Sequence, residues 1–174
     1  MAFLPAISLP LLAILFYEDQ KHRAVSWILF PFLALLFIAN SITAVGLTDT
    51  LYNTLYNFIF LFIQLLLISV YFSIKENKLV IITKDYLGLG DVLFLICIAF
   101  FFSPLNFMAF YFGSLFIILV GVLLYTMLKK QFKPQLPLAG LQAIILIGLI
   151  ITNSIGNLFK FQEDTQLVSF LLKS

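Results

Sequence analysis

The chain has 174 residues, of which 63% are hydrophobic and 10% are charged, and its net charge is +2. Water-soluble domains carry about 25% charged residues, so this composition and a mean hydropathy of +1.12 exclude an ordinary soluble domain and predict an integral membrane protein. The small net charge gives no indication of nucleic-acid binding, and the single cysteine, Cys97, excludes an intrachain disulfide and a paired-cysteine zinc site.

Six apolar stretches follow one another along the chain. A spanning helix needs about 20 apolar residues, with a range of about 17 to 25. The stretches cover approximately residues 2–17, 27–47, 51–74, 87–102, 107–128 and 136–158, of which the first and fourth are short. They are apolar on all sides and lack the recurring period of two that indicates a barrel. We therefore predict an all-α membrane protein, in which residues 1–158 form six transmembrane helices and residues 159–174 form an amphipathic C-terminal tail.

The first stretch also has the length of a secretory signal peptide. It has no basic residues before its apolar run, and no small-x-small cleavage site precedes the charged cluster that follows it. We therefore expect residues 2–17 to form the first helix rather than a cleaved leader.

The loop charges predict the orientation of the helices. Lys and Arg collect in cytoplasmic loops, and the loops after the first, third and fifth helices hold eight of the ten basic residues. These residues are Lys21, Arg23, Lys75, Lys78, Lys84, Lys129, Lys130 and Lys133. The odd-numbered loops are therefore predicted to be cytoplasmic, and both termini are predicted to be non-cytoplasmic.

Two aspartates occur at the predicted cytoplasmic ends of helices. Asp19 follows the first helix in FYEDQKHRAVSW, and Asp91 begins the fourth in DYLGLGDVLF, so both are expected at a similar membrane depth. Asp19 could simply pair with Lys21 or Arg23, and Asp91 could be a first-turn acid that favours the helix dipole. Two carboxylates brought together in a partly dry cleft, however, share one proton, which is the chemistry of an aspartic protease.

The residues around Asp91 carry a family resemblance. GLGD at residues 88–91 fits the GxGD motif of membrane aspartic proteases, and the chain resembles the type IV prepilin peptidases and the archaeal preflagellin peptidases. Those enzymes have one aspartate after the first helix of a six-helix core and the GxGD aspartate at the fourth, the positions of Asp19 and Asp91. Gly88 and Gly90 would allow close backbone approach and unusual dihedrals, and so bind an extended substrate segment, or they would pack between helices.

The resemblance extends over nearly the whole chain. KPQLPLAG, at residues 133–140, is similar to the basic loop and proline-rich start of the last helix in that family. Ser26 and Trp27 replace its usual proline-polar pair, and Leu93 stands where the family often has lysine. Amide side chains within the spans, Gln64 and Gln142 among them, are expected to hydrogen-bond between helices.

The resemblance implies an intramembrane aspartic endopeptidase of the cytoplasmic (inner) membrane. Its substrate would be a prepilin-like precursor, whose leader is cut at the cytoplasmic membrane edge by Asp19 and Asp91 without a metal or cofactor. Membrane lipids would be its other partners. The chain would be a minimal core, without the zinc-binding segment and the N-methylation activity of longer prepilin peptidases.

The sequence also supports one further structural expectation and two alternative functions. KLVIITKD, at residues 78–85, is short and β-branched, which favours an extended segment that could pair with substrate backbone. One alternative function is a small proton-coupled transporter in which Asp91 carries a proton. The other is a catalytically inactive membrane scaffold of the same fold.

Overall fold

A computed structural model describes residues 3–23, 25–77, 88–129, 137–156 and 159–173. These residues form helices and contain no strand, which confirms the predicted all-α class. The helices are α1 (Phe3–His22), α2 (Leu29–Val45), α3 (Leu47–Glu76), α4 (Leu89–Ala99), α5 (Pro104–Lys129), α6 (Leu138–Gly156) and α7 (Thr165–Lys173). The extended segment predicted at residues 78–85 lies outside the described residues.

Three of the described helices are long and apolar enough to cross a membrane, namely α3, α5 as far as Leu128, and α6. Much of their apolar surface is not covered by the rest of the protein. On α3, for example, Phe62 and Leu67 are exposed. A continuous apolar surface of this kind is unfavourable in water, so the three helices indicate a membrane-associated protein.

Helix α4 is much shorter than these three. Its 11 residues extend about 16 Å, roughly half the thickness of a bilayer hydrocarbon core. The helix ends at Ala99, before the predicted end at residue 102, and the chain turns before Pro104 begins α5.

Side chains of two other helices bond the carbonyl groups at the end of α4. Asn57 Nδ2 on α3 donates to the carbonyl oxygens of Ala99 at 2.9 Å and Phe102 at 2.8 Å. Ser41 Oγ on α2 donates to the carbonyl oxygen of Phe100 at 2.6 Å. The last carbonyls of a helix have no partner within it, so these neutral side chains allow α4 to end inside the bundle.

Residues 159–164 close this end of the bundle. The Phe161 ring is buried against Phe101, with 5.4 Å between ring centroids, and its carbonyl oxygen accepts a 2.9 Å bond from the amide of Ser103. Asp164 Oδ1 accepts a 3.1 Å bond from an amide in the first turn of α5, where the helix dipole favours an acid. The first part of the predicted tail therefore packs on the helices, and α7 follows it.

The opposite end of the bundle is organised around α6. Helix α1 packs chiefly on α6 and on α2, and α2 also packs on α4. The buried faces of these helices carry small residues, such as Ala139 and Ala143 on α6, beside large ones, such as Leu12 and Leu15 on α1. The close α1–α6 contact brings the end of α1 beside the beginning of α6.

Candidate active site

Asp19 lies in the last turn of α1, which continues beyond its predicted end at residue 17. Lys21 Nζ donates to Tyr17 Oη at 2.7 Å and lies 5.1 Å from the centre of its ring, an i,i+4 pair that supports this turn. The Asp19 side chain is buried, and its Oδ2 accepts a 2.5 Å bond from the amide of Gly140. Lys21 thus contacts Tyr17, while Asp19 turns towards α6.

Asp91 lies in the first turn of α4 and has two backbone partners. Its Oδ2 accepts a 3.2 Å bond from the amide of Gly88, the residue before the helix. Its Oδ1 accepts a 2.7 Å bond from the amide of Ala139 on α6. Asp91 is therefore the first-turn acid that the sequence allowed, and it also reaches another helix.

The structure brings the two predicted aspartates together at the first turn of α6. Ala139 and Gly140 are consecutive, and their N–H groups have no partner within the helix. Consecutive Cα atoms lie about 3.8 Å apart, so two carboxylates that bond these adjacent amides are held side by side. The positive end of the α6 dipole favours negative charge at this point.

Glycine at two positions permits this arrangement. A Cβ atom at Gly140 would lie 2.9 Å from Asp19 Oδ2, which is closer than real contacts allow, and 3.1 Å from Asp19 Cβ, which is a tight contact. A Cβ atom at Gly88 would lie 3.1 Å from Asp91 Oδ2. Gly140 was not among the candidate residues from sequence, although it belongs to the LAG that follows the proline-rich segment.

The two motif glycines differ in their surroundings. The expectation of unusual dihedrals is wrong for both, since Gly88 is extended at φ −61° and ψ 143° and Gly90 lies within α4. Positive φ among the glycines of the described ranges occurs at Gly46. The expected close approach occurs at Gly88, whereas a Cβ at Gly90 would make an ordinary 3.8 Å contact with Val25.

A small cavity of about 50 Å³ opens beside Asp91. Its polar lining comes from four helices and comprises Asp91, Gln64, Tyr111 and Gln142. Gln142 Nε2 donates to Ser114 Oγ at 3.1 Å. Six further lining residues are leucine or isoleucine, so the polar groups lie on part of the wall. A water molecule needs roughly 10–15 Å³ of cavity volume and polar partners, and both are present next to the carboxylate.

No group of three or more His, Cys, Asp or Glu residues that could hold a metal ion occurs in the ranges that the structure describes. Two carboxylates held side by side can exchange protons with a water molecule. Comparison of the chain with family models, curated proteins and solved structures found no match.

Proposed function

We propose that this protein is a membrane-embedded aspartic endopeptidase of the prepilin peptidase type. The observation that carries the proposal is that Asp19 and Asp91, from separate helices, accept hydrogen bonds from adjacent amides of α6. Two acids held side by side disfavour simultaneous ionisation. One proton is then shared between them, which gives the pair an acid and a base.

The arrangement of the pair supports a division of labour between the two acids. Asp91 lines the small cavity, so its ionised form removes a proton from a water there while the water oxygen attacks the scissile carbonyl carbon. Asp19 holds the shared proton and donates it to the nitrogen of the peptide bond as the C–N bond breaks. The α6 amides keep both carboxylates in place throughout.

The proposed topology has six spanning helices, α1 to α6, with both termini outside and the aspartates at the cytoplasmic edge. Lys21, in the last turn of α1, and Arg23, just after the helix, lie at the end of the bundle that holds the pair, and basic residues favour the cytoplasmic side of membrane proteins. Helix α4 would be a shortened span, closed at its far end by side chains of α2 and α3. The membrane would be the cytoplasmic membrane, and the substrate a prepilin-like precursor with a short leader and an apolar helix.

The test is incubation of the purified protein with prepilin-like precursors from the same cell, with the products identified by mass. The wild type is expected to release a leader, and Asp19→Asn and Asp91→Asn are expected to release none. Asp49→Asn, which removes a carboxylate from the first turn of α3, is the matched control and should cleave normally. Substantial cleavage by either aspartate variant would refute the paired mechanism.

Two further measurements, uptake in liposomes and precursor binding, separate the two alternative functions. A proton-coupled carrier would cleave no precursor. In liposomes it would take up its solute together with protons, and Asp91→Asn would abolish that uptake. An inactive scaffold would show neither cleavage nor uptake while binding the precursor equally well with and without the Asp91→Asn substitution.

A further inference from the structure

The C-terminal helix α7 is too short to be stable by itself. It has nine residues, Thr165–Lys173, and among the described helices it has no extensive packing on another. Its length of about 14 Å is half of a bilayer hydrocarbon core or less, so it does not span a membrane. Isolated helices shorter than about 12 residues are marginal in water. A surface that covers its apolar side chains is therefore needed to keep α7 helical.

One face of α7 is apolar and open. Val168 and Leu172 are four residues apart and share a face of the helix, and 39% and 83% of their surfaces are exposed. Thr165 and Ser169, which are also four residues apart, are exposed on a neighbouring polar face. The helix is thus amphipathic, and its apolar residues at these two positions are not covered by the bundle.

The segment before α7 fixes the level at which the helix begins. Asp164 Oδ1 accepts bonds from the amides of Leu105, at 3.1 Å, and Asn106, at 3.4 Å, in the first turn of α5. Asn106 Nδ2 in turn donates to the carbonyl oxygen of Glu163 at 3.0 Å. Because α5 is long and apolar enough to cross a membrane, its first turn lies near one boundary of the apolar layer. Thr165 follows Asp164 directly, so α7 begins at that boundary.

Exposed side chains around this segment show that water and the apolar layer meet there. Lys160 and Glu163 form an ion pair, and both side chains are exposed. Charged groups of this kind require water or lipid headgroups. Phe159, beside the pair, and Leu105, at the start of α5, are exposed apolar residues, which favour lipid. Polar and apolar surroundings therefore both reach the residues that lead into α7.

We propose that α7 is an interfacial helix, which lies along the bilayer surface with Val168 and Leu172 among the first carbons of the acyl chains. A helix in this position buries its apolar face roughly 5–10 Å below the headgroups and keeps its polar face in water. A second copy of the chain is a poorer cover. The face of a helix about 14 Å long and 10 Å wide is roughly 140 Å², well below the 800 Å² or so that each partner of a stable protein interface buries.

The position of α7 is tested by fluorescence quenching in nanodiscs that hold a single copy of the protein. Trp27→Phe removes the one native tryptophan. In that background, Val168→Trp and Gln166→Trp place an indole on opposite sides of the helix, since two residues correspond to about 200° of rotation. Phosphatidylcholine brominated near the carbonyl end of its acyl chains is expected to quench roughly half of the emission of Val168→Trp and little of that of Gln166→Trp.

Two quenching results would overturn the proposal. Equal quenching of the two variants would mean that α7 has no fixed face towards the lipid. An absence of quenching in Val168→Trp would mean that the apolar face is covered by the protein itself or stands in water. A single copy per nanodisc removes a partner chain as the cover. The result does not depend on the proposed protease activity.

The role of the apolar face is tested by amide hydrogen exchange in the same nanodiscs. Glutamine has at least the helix propensity of valine and nearly that of leucine, so Val168→Gln combined with Leu172→Gln removes the apolar face without disfavouring the helix. Exchange over residues 165–173 is expected to accelerate by at least about tenfold. Residues 160–164, which Asn106 holds, should exchange as in wild type. Unchanged protection of α7 would overturn the bilayer as its support.

Discussion

The two ends of the bundle solve the same backbone problem with different side chains. At one end, the terminal carbonyls of α4 accept bonds from the neutral side chains of Asn57 and Ser41. At the other, the first amides of α6 donate to the carboxylates of Asp19 and Asp91. The helix dipole favours one negative charge at this point, but a second carboxylate beside the first must either be repelled by it or hold a proton. The second acid is therefore more than capping requires, and the proposed acid–base function would account for it.

The largest expected effect comes from replacing either of the two aspartates with a neutral side chain of the same shape. Asparagine keeps an oxygen acceptor for the amide of Gly140 or Ala139 but cannot exchange a proton. Asp19→Asn and Asp91→Asn should therefore lower the cleavage rate by at least about 10³-fold with little change in unfolding temperature. The rate is measured by product mass and the stability by a thermal scan in detergent. Loss of folding without loss of specific activity in the folded fraction would assign the acids to structure alone.

The next effect concerns the spacing between α1 and α6. Gly140→Ala inserts a methyl group against Asp19 and must displace either the carboxylate or the helix. Relieving the 2.9 Å contact to an ordinary 3.4 Å contact takes roughly half of the 1 Å misplacement that can lower a rate by about 10², so a loss of about tenfold or more is expected in kcat. Gly148→Ala is the matched control. Gly148 lies on the same helix as Gly140, and a Cβ atom there would meet nothing within 4 Å. Equal rates for the two variants would show that the Asp19–Gly140 contact does not position the acid.

The far end is expected to respond in stability instead of activity. Asn57→Leu removes the side-chain donor of the Ala99 and Phe102 carbonyls, and both bonds are buried. We expect the free energy of unfolding to fall by about 2 kcal/mol. Cleavage per folded molecule should remain near that of wild type. Asn53→Leu, on the same helix, removes one partly buried bond to the Gln162 carbonyl and should cost less. If Asn57→Leu lowered activity per folded molecule as much as Gly140→Ala, the assignment of the far end to stability and of the aspartate end to activity would be wrong.

A smaller effect distinguishes the two glycines of the GLGD segment. Gly88→Ala forces Asp91 Oδ2 to move by a few tenths of an ångström, and we expect a rate loss of about three- to tenfold. Gly90→Ala gains helix propensity and meets Val25 at an ordinary distance, so its effect should be weaker. A larger loss in Gly90→Ala than in Gly88→Ala would indicate that substrate contacts Gly90.

Hydropathy and charge predicted most of the helices, because an apolar run of about 20 residues reports directly on burial or on lipid contact. They missed where α1 and α4 end. The last turn of α1 is bonded to α6 through Asp19 and Gly140, and the end of α4 is bonded by Asn57, a residue on another helix. Such partners are defined only by tertiary structure. The number of spans, their orientation and the extended segment at residues 78–85 stay predictions.

The site was predictable in part. The loop charges placed Asp19 and Asp91 at predicted cytoplasmic ends of helices, and the GLGD segment singled out Asp91. Both features can be read from the sequence alone. Gly140 had no comparable signal, because its role is a close contact with one carboxylate across two helices. Gln142 was expected to face another helix, but its place beside the Asp91 cavity depends on how α6 is rotated.

The smallest expected effect lies in the segment that closes the far end. Lys160 bonds Glu163 at 2.9 Å and thereby lowers the pKa of the Glu163 carboxyl. A lowered folded pKa stabilises the fold above the unfolded pKa, and this contribution is lost as the pH falls through the folded pKa. Both side chains are more than a third exposed, so solvent screening leaves little of it. Glu163→Gln should therefore shift the unfolding temperature at pH 7 by less than about 1 °C, and the two curves should converge in acid. A large shift would mean that an ion pair holds this end closed, and not the buried Phe161 ring and the backbone bond to Ser103.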